Sequence, residues 1–359
     1  AEPIAPCVHL VFIEEPEAHL HPQMQEVFIR QLARIAQQLV EDVNDGETWP
    51  VQFVVSTHSS HVANAAGFES IRYFLSTAIS GAVTGTQCQC TTIKDLREGL
   101  ANKSPEERNF LHQYLTLTRC DLFFADKAIM VEGLTERLLL PVIIKKLEDA
   151  DSDIPKLSSQ YSTVLEVGGA YAHLFFDLLE VLELRTLIIT DLDAVVAAGG
   201  KTWAVHEGST TSNACIKSWF ASDTPITLDN LKAKTDEEKT IGRRRIAYQC
   251  PEQNGGACGR TFEDAFIIAN AEKFGLPTGT PNELELAAQD EAHKHKKSNF
   301  ALNFAIQDID WVAPKYMLEG LQWLAIDEHV IATKPEQPSV GSPISSQSPE
   351  APATGEANA

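Results

Sequence analysis

The sequence predicts an α/β fold with two separate units, each built on a parallel sheet. Three observations carry this. Short blocks of β-branched and apolar residues alternate with longer segments of helical periodicity. The clearest block, "TLII" at 186–189, is made of β-branched and apolar residues, as in strands covered on both faces. Acidic residues gather where such blocks end, at the edge where open parallel sheets bind ligands.

The first unit opens with "VHLVFIEE", a strand followed by acids. "HPQMQEVFIRQLARIAQQLVEDV" places Phe28, Leu32, Ile35 and Leu39 at helical spacing, with Pro22 in the first turn, where its missing N–H does no harm. "VQFVVSTHS" at 51–59 is a second strand, so the order strand, helix, strand predicts a parallel pair. A Gly/Thr/Cys-rich stretch at 80–92 breaks the pattern, and 104–118 is helical. At 128 the alternation restarts. "AIMVEG" is a strand, "LTERLLLPVIIKKLEDA" a helix, "YSTVLEVGG" a strand, "AYAHLFFDLLEVLE" a helix and "LRTLIITDLD" a strand. Residues 196–258 lack long apolar runs and are expected to form a helical or irregular insertion. "TFEDAFIIANAEKFG" resumes a helix, and the Pro/Ser/Ala-rich residues 333–359 should be disordered.

Composition excludes several classes. The 359 residues are 43% hydrophobic and 22% charged, which suits two globular domains. No apolar run approaches the ~20 residues that span a membrane, and the first residues lack the basic start of a signal peptide, so a cytoplasmic protein is expected. Seven cysteines in so long a chain are no disulfide framework, and Cys88, Cys90, Cys250 and Cys258 lack the CxxC spacing of a zinc site. A net charge of −21 argues against a broad basic surface for nucleic acid, though not against meeting phosphates through bound cations. Arg243 to Arg245 and "HKHKK" at 293–297 are the basic clusters; a solvated loop is the simpler account of the arginines.

The chemistry rests on carboxylates. Asp191 and Asp193 close a buried strand, and residues i and i+2 of an extended chain point the same way. Two such charges repel unless a cation lies between them, and oxygen-only ligands suit a hard ion such as Mg²⁺ or Mn²⁺. Strand-end aspartates also cap turns and helices, so the pair alone leaves both readings open. In "VEGLTE", Glu132 ends a strand and Glu136 follows four residues later, either reaching the same region or serving as a helix-start acid favoured by the dipole. Four carboxylates at one sheet edge, with no basic residues near them in sequence, favour metal. Glu263 and Asp264 stand at another helix start, and Lys296 and Lys297 precede an apolar pattern.

"AIMVEGLTE" followed by "LIITDLD" resembles the Toprim domain of topoisomerases, primases and OLD (overcoming lysogenization defect) nucleases. "LVFIEEPEAHLHP" with "VVSTHS" resembles the second half of an ABC-type ATPase head. Together, over roughly residues 8–330, they resemble the OLD family. The fold class this implies is a truncated ABC ATPase half (1–118) followed by a Toprim domain with a Rossmann-like parallel sheet (119–332). The resemblance implies a metal-dependent DNA endonuclease using two Mg²⁺ or Mn²⁺ ions. Glu132, Glu136, Asp191 and Asp193 take the family's catalytic positions, Glu263 and Asp264 its later acidic pair, and Lys297 its lysine. Glu14 takes the Walker B magnesium position, Glu15 the position that orients water, and His58 that of the switch histidine. It further implies DNA as substrate, a partner helicase, and a homo-oligomer in the full-length protein.

The sequence departs from that pattern. It holds no GxxxxGK[ST] phosphate loop and begins with Ala rather than Met. The expectation is a C-terminal piece of a longer protein, with ATP used in the full-length protein only. A haloacid-dehalogenase-type phosphatase fits "DLDAV" but places its aspartates on the first strand, whereas a strand bearing Glu132 comes first here. A non-catalytic, ATP-gated DNA clamp component with structural carboxylates is the other alternative.

Overall fold

β1 (His9–Glu14) and β2 (Val51–Ser56) run parallel, with α1 (Pro22–Val43) between them in sequence. The pairing sets Glu14 opposite Ser56, so both strands present their carboxyl ends at one edge. These elements belong to a computed structural model that describes residues 9–43, 51–79, 88–118, 121–168, 171–196, 204–223 and 225–326. The expected tail at 333–359, the side chain of Leu39 and parts of the 80–92 and 196–258 stretches lie outside the described residues.

α2 (Ser60–Ala65) follows β2, its N-cap Ser59 accepting from the Val62 amide. β3 (Arg72–Ile79) and β4 (Cys88–Asp95) pair antiparallel. The stretch expected only to break the pattern thus contributes a strand. Its Thr and Gln residues need no buried face, and Thr91 and Thr92 suit a pleated edge. α3 (Leu96–Gly99) and α4 (Pro105–Thr118) come next.

The main sheet is assembled from residue 127 onward. In chain order its neighbourhood holds β5 (Lys127–Val131), α5 (Leu134–Ala150), β6 (Ser162–Glu166), α6 (Phe176–Val181), β7 (Arg185–Ile189), β8 (Ala194–Val195), β9 (Thr210–Thr211), α7 (Ala214–Trp219), α8 (Leu228–Lys232), β10 (Thr240–Ile241) and β11 (Arg244–Ala247). α9 (Phe262–Ala269), α10 (Pro281–Lys294), α11 (Lys297–Leu302) and α12 (Lys315–Ala325) follow. The strand order is β10-β11-β7-β5-β6, parallel except for β10. β5 connects to β6 on one side, and the chain then crosses to β7 on the other. The topological switch point therefore lies between β5 and β7, where such sheets open a crevice beyond their carboxyl ends.

Alternation along the strands divides the core in two. Ile129, Val131, Leu187 and Ile189 face Leu139 and Ile143 of α5 and Met317, Leu321 and Leu324 of α12. Ala128, Met130, Ile188 and Ile246 face Phe175, Leu178 and Leu182, together with Leu111 and Leu115 of α4. At the opposite edge, Lys127 and Arg185 donate to the last carbonyls of α12, at 2.6 Å to Leu324 and 2.6 Å to Trp323, where cations are favoured.

The segment expected to be an insertion supplies β11, a strand of the central sheet beside β7. Arg244 and Arg245, read from sequence as a solvated loop, belong to that strand. Arg244 pairs with Glu180 at 2.9 Å, and Arg245, only 4% exposed, pairs with Asp236 at 2.6 Å. The ion pairs let charged residues occupy a sheet position that composition alone would deny them.

Candidate functional site

The carboxyl ends of β5 and β7 are adjacent, so Glu132 and Asp191 leave the sheet side by side. Glu132 Oε2 accepts from the Asp191 amide and from the Thr190 hydroxyl, both at 2.8 Å. Asp191 is 7% exposed. Its Oδ1 accepts from Gln249 Nε2 at 2.7 Å, and Gln249 Oε1 accepts from the Leu192 amide at 2.6 Å. Gln249, fully buried just past β11, clamps the loop that carries both aspartates.

Asp193 is held differently. Its φ of 47° is left-handed, a conformation that aspartate adopts more readily than most residues. The extended-chain argument for the pair therefore does not describe this segment, although Asp193 still adds its charge to the surroundings of Asp191. Asp193 Oδ1 lies 3.0 Å from Arg260 Nη2, and Oδ2 accepts from Asn213 Nδ2 at 3.4 Å. Asn213 also donates to Thr190 at 2.9 Å while its own oxygen caps α7.

α5 starts at once after Gly133, which puts Glu136 in its first turn. Glu136 is buried, as is Glu263 in the first turn of α9; Glu263 Oε1 accepts from Thr135 at 3.1 Å. Burial, with the charges of Glu263 and Glu132 nearby, raises Glu136 to about 7 despite a bond to its own backbone and the opposing charge of Lys297. Asp191 is raised well above the usual carboxylate range by burial first, then by Glu136, Glu132, Asp193 and Glu263. Lys297 opens α11 with its ammonium 3.3 Å from Glu263 Oε2. Partial burial works against its charge, but Glu263, Asp191 and Glu136 together outweigh this and raise its pKa.

The structure thus brings Glu132, Glu136, Asp191, Asp193, Glu263 and Lys297 to one edge. Asp264 is turned elsewhere: its Oδ2 accepts from the amides of Arg260 and Thr261, both at 3.3 Å, in a capping box with Thr261. At the other sheet, Glu14 ends β1, and Glu15, with φ 40°, lies 3.2 Å from His58 Nε2. Glu17, which sequence reasoning passed over, accepts from Thr57 and the His58 amide at 2.9 and 2.6 Å. Gln249, Asn213, Arg260, Thr190 and Thr135 were also missed. They are ordinary polar residues whose role comes only from where the fold delivers them.

The donors at the β5–β7 edge are oxygens, and mutually repelling carboxylates that resist ionisation are what a hard divalent cation would relieve. Among the described residues no group of three or more His, Cys, Asp or Glu stands placed to hold a metal ion, so these carboxylates would have to draw together around one. A thiolate site is not offered: burial pushes Cys215, which also feels Glu132, up to about 12.

Residues 123–193 match the family described as overcoming lysogenization defect protein-like, TOPRIM domain, and residues 5–63 match an AAA ATPase domain. The chain is 30% identical over 351 residues to the endonuclease GajA of Bacillus cereus (strain HuB5-5), covering 89% of this chain and 48% of the relative. It is 27% identical over 186 residues to the OLD nuclease of Thermus scotoductus (51% of this chain, 30% of that one). To the Old nuclease of Escherichia phage P2 it is 25% identical over 191 residues (51% and 28%). The chain therefore spans about half the length, or less, of the curated relatives it matches.

Proposed function

We propose that this chain, which belongs to the overcoming lysogenization defect (OLD) family, is a divalent-metal-dependent DNA endonuclease that cuts at the β5–β7 edge. The observation that carries the reading is the meeting of Glu132, Glu136, Asp191 and Glu263 at the switch point with Lys297 beside them. Two Mg²⁺ or Mn²⁺ ions bound there would supply an activated water and charge neutralisation for phosphodiester hydrolysis. Glu132, Glu136, Asp191, Asp193 and Glu263 are the residues that would hold them. Gln249 fixes Asp191, and Arg260 and Asn213 fix Asp193, so the loop keeps its shape before substrate arrives. Lys297 sets an ammonium where negative charge grows on the phosphate. Asp264 serves the α9 cap in this reading rather than a metal.

Residues 1–118 are taken as part of the ATPase head, 119–332 as the Toprim domain and 333–359 as a tail. Glu14, Glu15 and His58 stand at a strand edge that suits a nucleotide γ-phosphate, but the sequence contains no phosphate loop. Cleavage by this chain is therefore independent of ATP, which belongs to the full-length protein. A partner helicase, a homo-oligomer of the full-length protein and a cytoplasmic location complete the proposal. Among the described residues no helix is long and apolar enough to cross a membrane.

Supercoiled plasmid incubated with Mg²⁺, Mn²⁺, Ca²⁺ or EDTA tests the reading. Cleavage is expected with Mg²⁺ or Mn²⁺ without ATP, and not with EDTA. Asp191→Ala should abolish it while the protein stays folded. Wild-type cleavage by a folded Asp191→Ala variant would remove the β5–β7 edge from the chemistry.

A further inference from the structure

A cavity of about 540 Å³ is lined in part by Cys250 and Pro251, the two residues that follow Gln249. Its walls come from α8 and the residues after it, from the 250–256 loop, and from the first turns of α10 and α12. None of Glu132, Glu136, Asp191, Asp193 and Glu263 lines it. Most charges on its walls are already matched. Lys232 lies 3.0 Å from Asp229, and Lys234 bridges Asp223 and Glu238 at 2.8 and 2.7 Å. Asp236 is held by Arg245 at 2.6 Å, Glu285 by His206 at 2.7 Å, and Lys315 lies 3.8 Å from Glu319.

Lys239 breaks this balance. It is 6% exposed and lines the cavity. Among the described residues its ammonium has no hydrogen-bond or ion-pair partner; the face of Tyr248 lies 5.3 Å away, and its charge is felt by the Cys250 thiol. Lys239 Nζ is not among the fully buried polar atoms left without a partner, so the ammonium opens onto the cavity, where the aromatic face replaces only part of a counter-charge. The dipoles of α10 and α12 add positive potential at the same wall, although the Thr280–Glu283 box and Glu252 already take some of their first amides. Asn254, Asn282 and Thr235 also line the cavity, and each side chain carries a donor that an oxyanion could accept from.

We propose that this cavity binds the phosphate group of a small molecule, with Lys239 as its counter-charge. Its volume falls within the usual range for small-ligand sites. The site adjoins the cleavage machinery along the chain: Cys250 and Lys315 line the cavity, while their neighbours Gln249 and Tyr316 bond to each other at 3.3 Å behind Asp191. Binding itself does not depend on the nuclease reading.

Titration calorimetry of the chain with inorganic phosphate tests the proposal, with a short DNA duplex as a second arm. Wild type and Lys239→Arg should bind phosphate, and Lys239→Met should bind it at least about tenfold more weakly. Lys232→Met removes an already paired charge from the same wall and should change affinity less than about twofold. Should Lys239→Met fail to fold by circular dichroism, Asn282→Phe decides, because this exposed position can block the cavity without entering the core. Equal phosphate affinity in wild type and the Lys239→Met or Asn282→Phe variant overturns the proposal, as does no binding to wild type at millimolar phosphate. A loss confined to duplex binding would give the site to the DNA backbone and overturn the small-ligand assignment.

Discussion

Asp191 depends on a single side-chain amide, and that makes Gln249 a sharp test of how the edge is held. Gln249→Leu would leave the Asp191 carboxylate and the Leu192 amide without their partner, and an unmet buried polar group costs ~1–3 kcal/mol. The variant should need more metal for half-maximal cleavage and cut at least about tenfold more slowly at low metal, partly recovering at high metal. A fall in melting temperature with an unchanged metal requirement would make Gln249 purely structural. Glu136 gives a pH signature in the metal-free chain. Its pKa is about 7 in the fold against an ordinary 4.5, so the folded state keeps a proton that the unfolded state has released. Its contribution to stability is fully present below about 4.5 and is lost as pH rises to about 7, on the order of 3 kcal/mol in all. In EDTA, Glu136→Gln should flatten this fall and be the more stable protein at pH 8; an unchanged pH slope would mean that its carboxylate is hydrated. Lys297 is the third residue to test. Its ammonium touches Glu263, yet the side chain is 72% exposed and free to turn toward a phosphate. Lys297→Ala should bind DNA and metal nearly as wild type does but cut ~10²–10³-fold more slowly. Lys296→Ala is the control for charge, and equal rates in all three proteins would leave Lys297 a surface cation.

At the scale of elements, what the sequence revealed depended on how each element is buried. β5, β7 and α5 were legible because strands covered on both faces must be apolar throughout, and the helix between them starts directly after Gly133. Glu132, Glu136 and Asp191, which follow or open these elements, could therefore be singled out from the sequence. β11 was not, because "RRRIA" reads as polar until Glu180 and Asp236 are seen to neutralise its arginines. Gln249 arrives at the end of that strand and was lost with it. The arrangement around Asp193 was out of reach for another reason: a left-handed turn held by Asn213 and Arg260 has no periodicity to read. α9 shows how adjacent acids at a helix start can part. Glu263 points to Thr135 and Lys297, while Asp264 closes the capping box. Asp264→Ala should cost ~1 kcal/mol of stability by denaturant melts and leave metal stoichiometry unchanged. Glu263→Ala should change metal binding and rate more than stability. Should calorimetry find an ion lost with Asp264 instead, the cap would open when metal binds.

For the whole molecule, the question is how far the proposed cleavage unit extends. The family resemblance implies a boundary at 118, whereas apolar packing runs across it. Phe68, Leu96, Leu100, Leu111 and Leu115 lie in the same core as Phe175, Leu178 and Leu182 and the β5 and β7 side chains Met130 and Ile188. Each such side chain contributes ~1.5–3 kcal/mol on burial, so removing all five forfeits on the order of 10 kcal/mol. That is as large as the whole stability of a typical domain. The β1–β2 pair is different: Leu10 and Phe12 are 54% and 72% exposed, so β1 contributes much less of this kind. A chain running from Ser59 to Ile326 keeps the Ser59 cap and the buried Val62 and Ala63. It should unfold in one cooperative transition and retain metal-dependent plasmid cleavage. A chain of residues 119–326 should expose the face that α4 covers, bind hydrophobic dyes and lose cleavage. Thermal melts and plasmid assays on the two chains decide the matter. If the shorter one melts cooperatively at the same temperature and cuts as fast, α3 and α4 are ornaments on a Toprim unit that is complete without them.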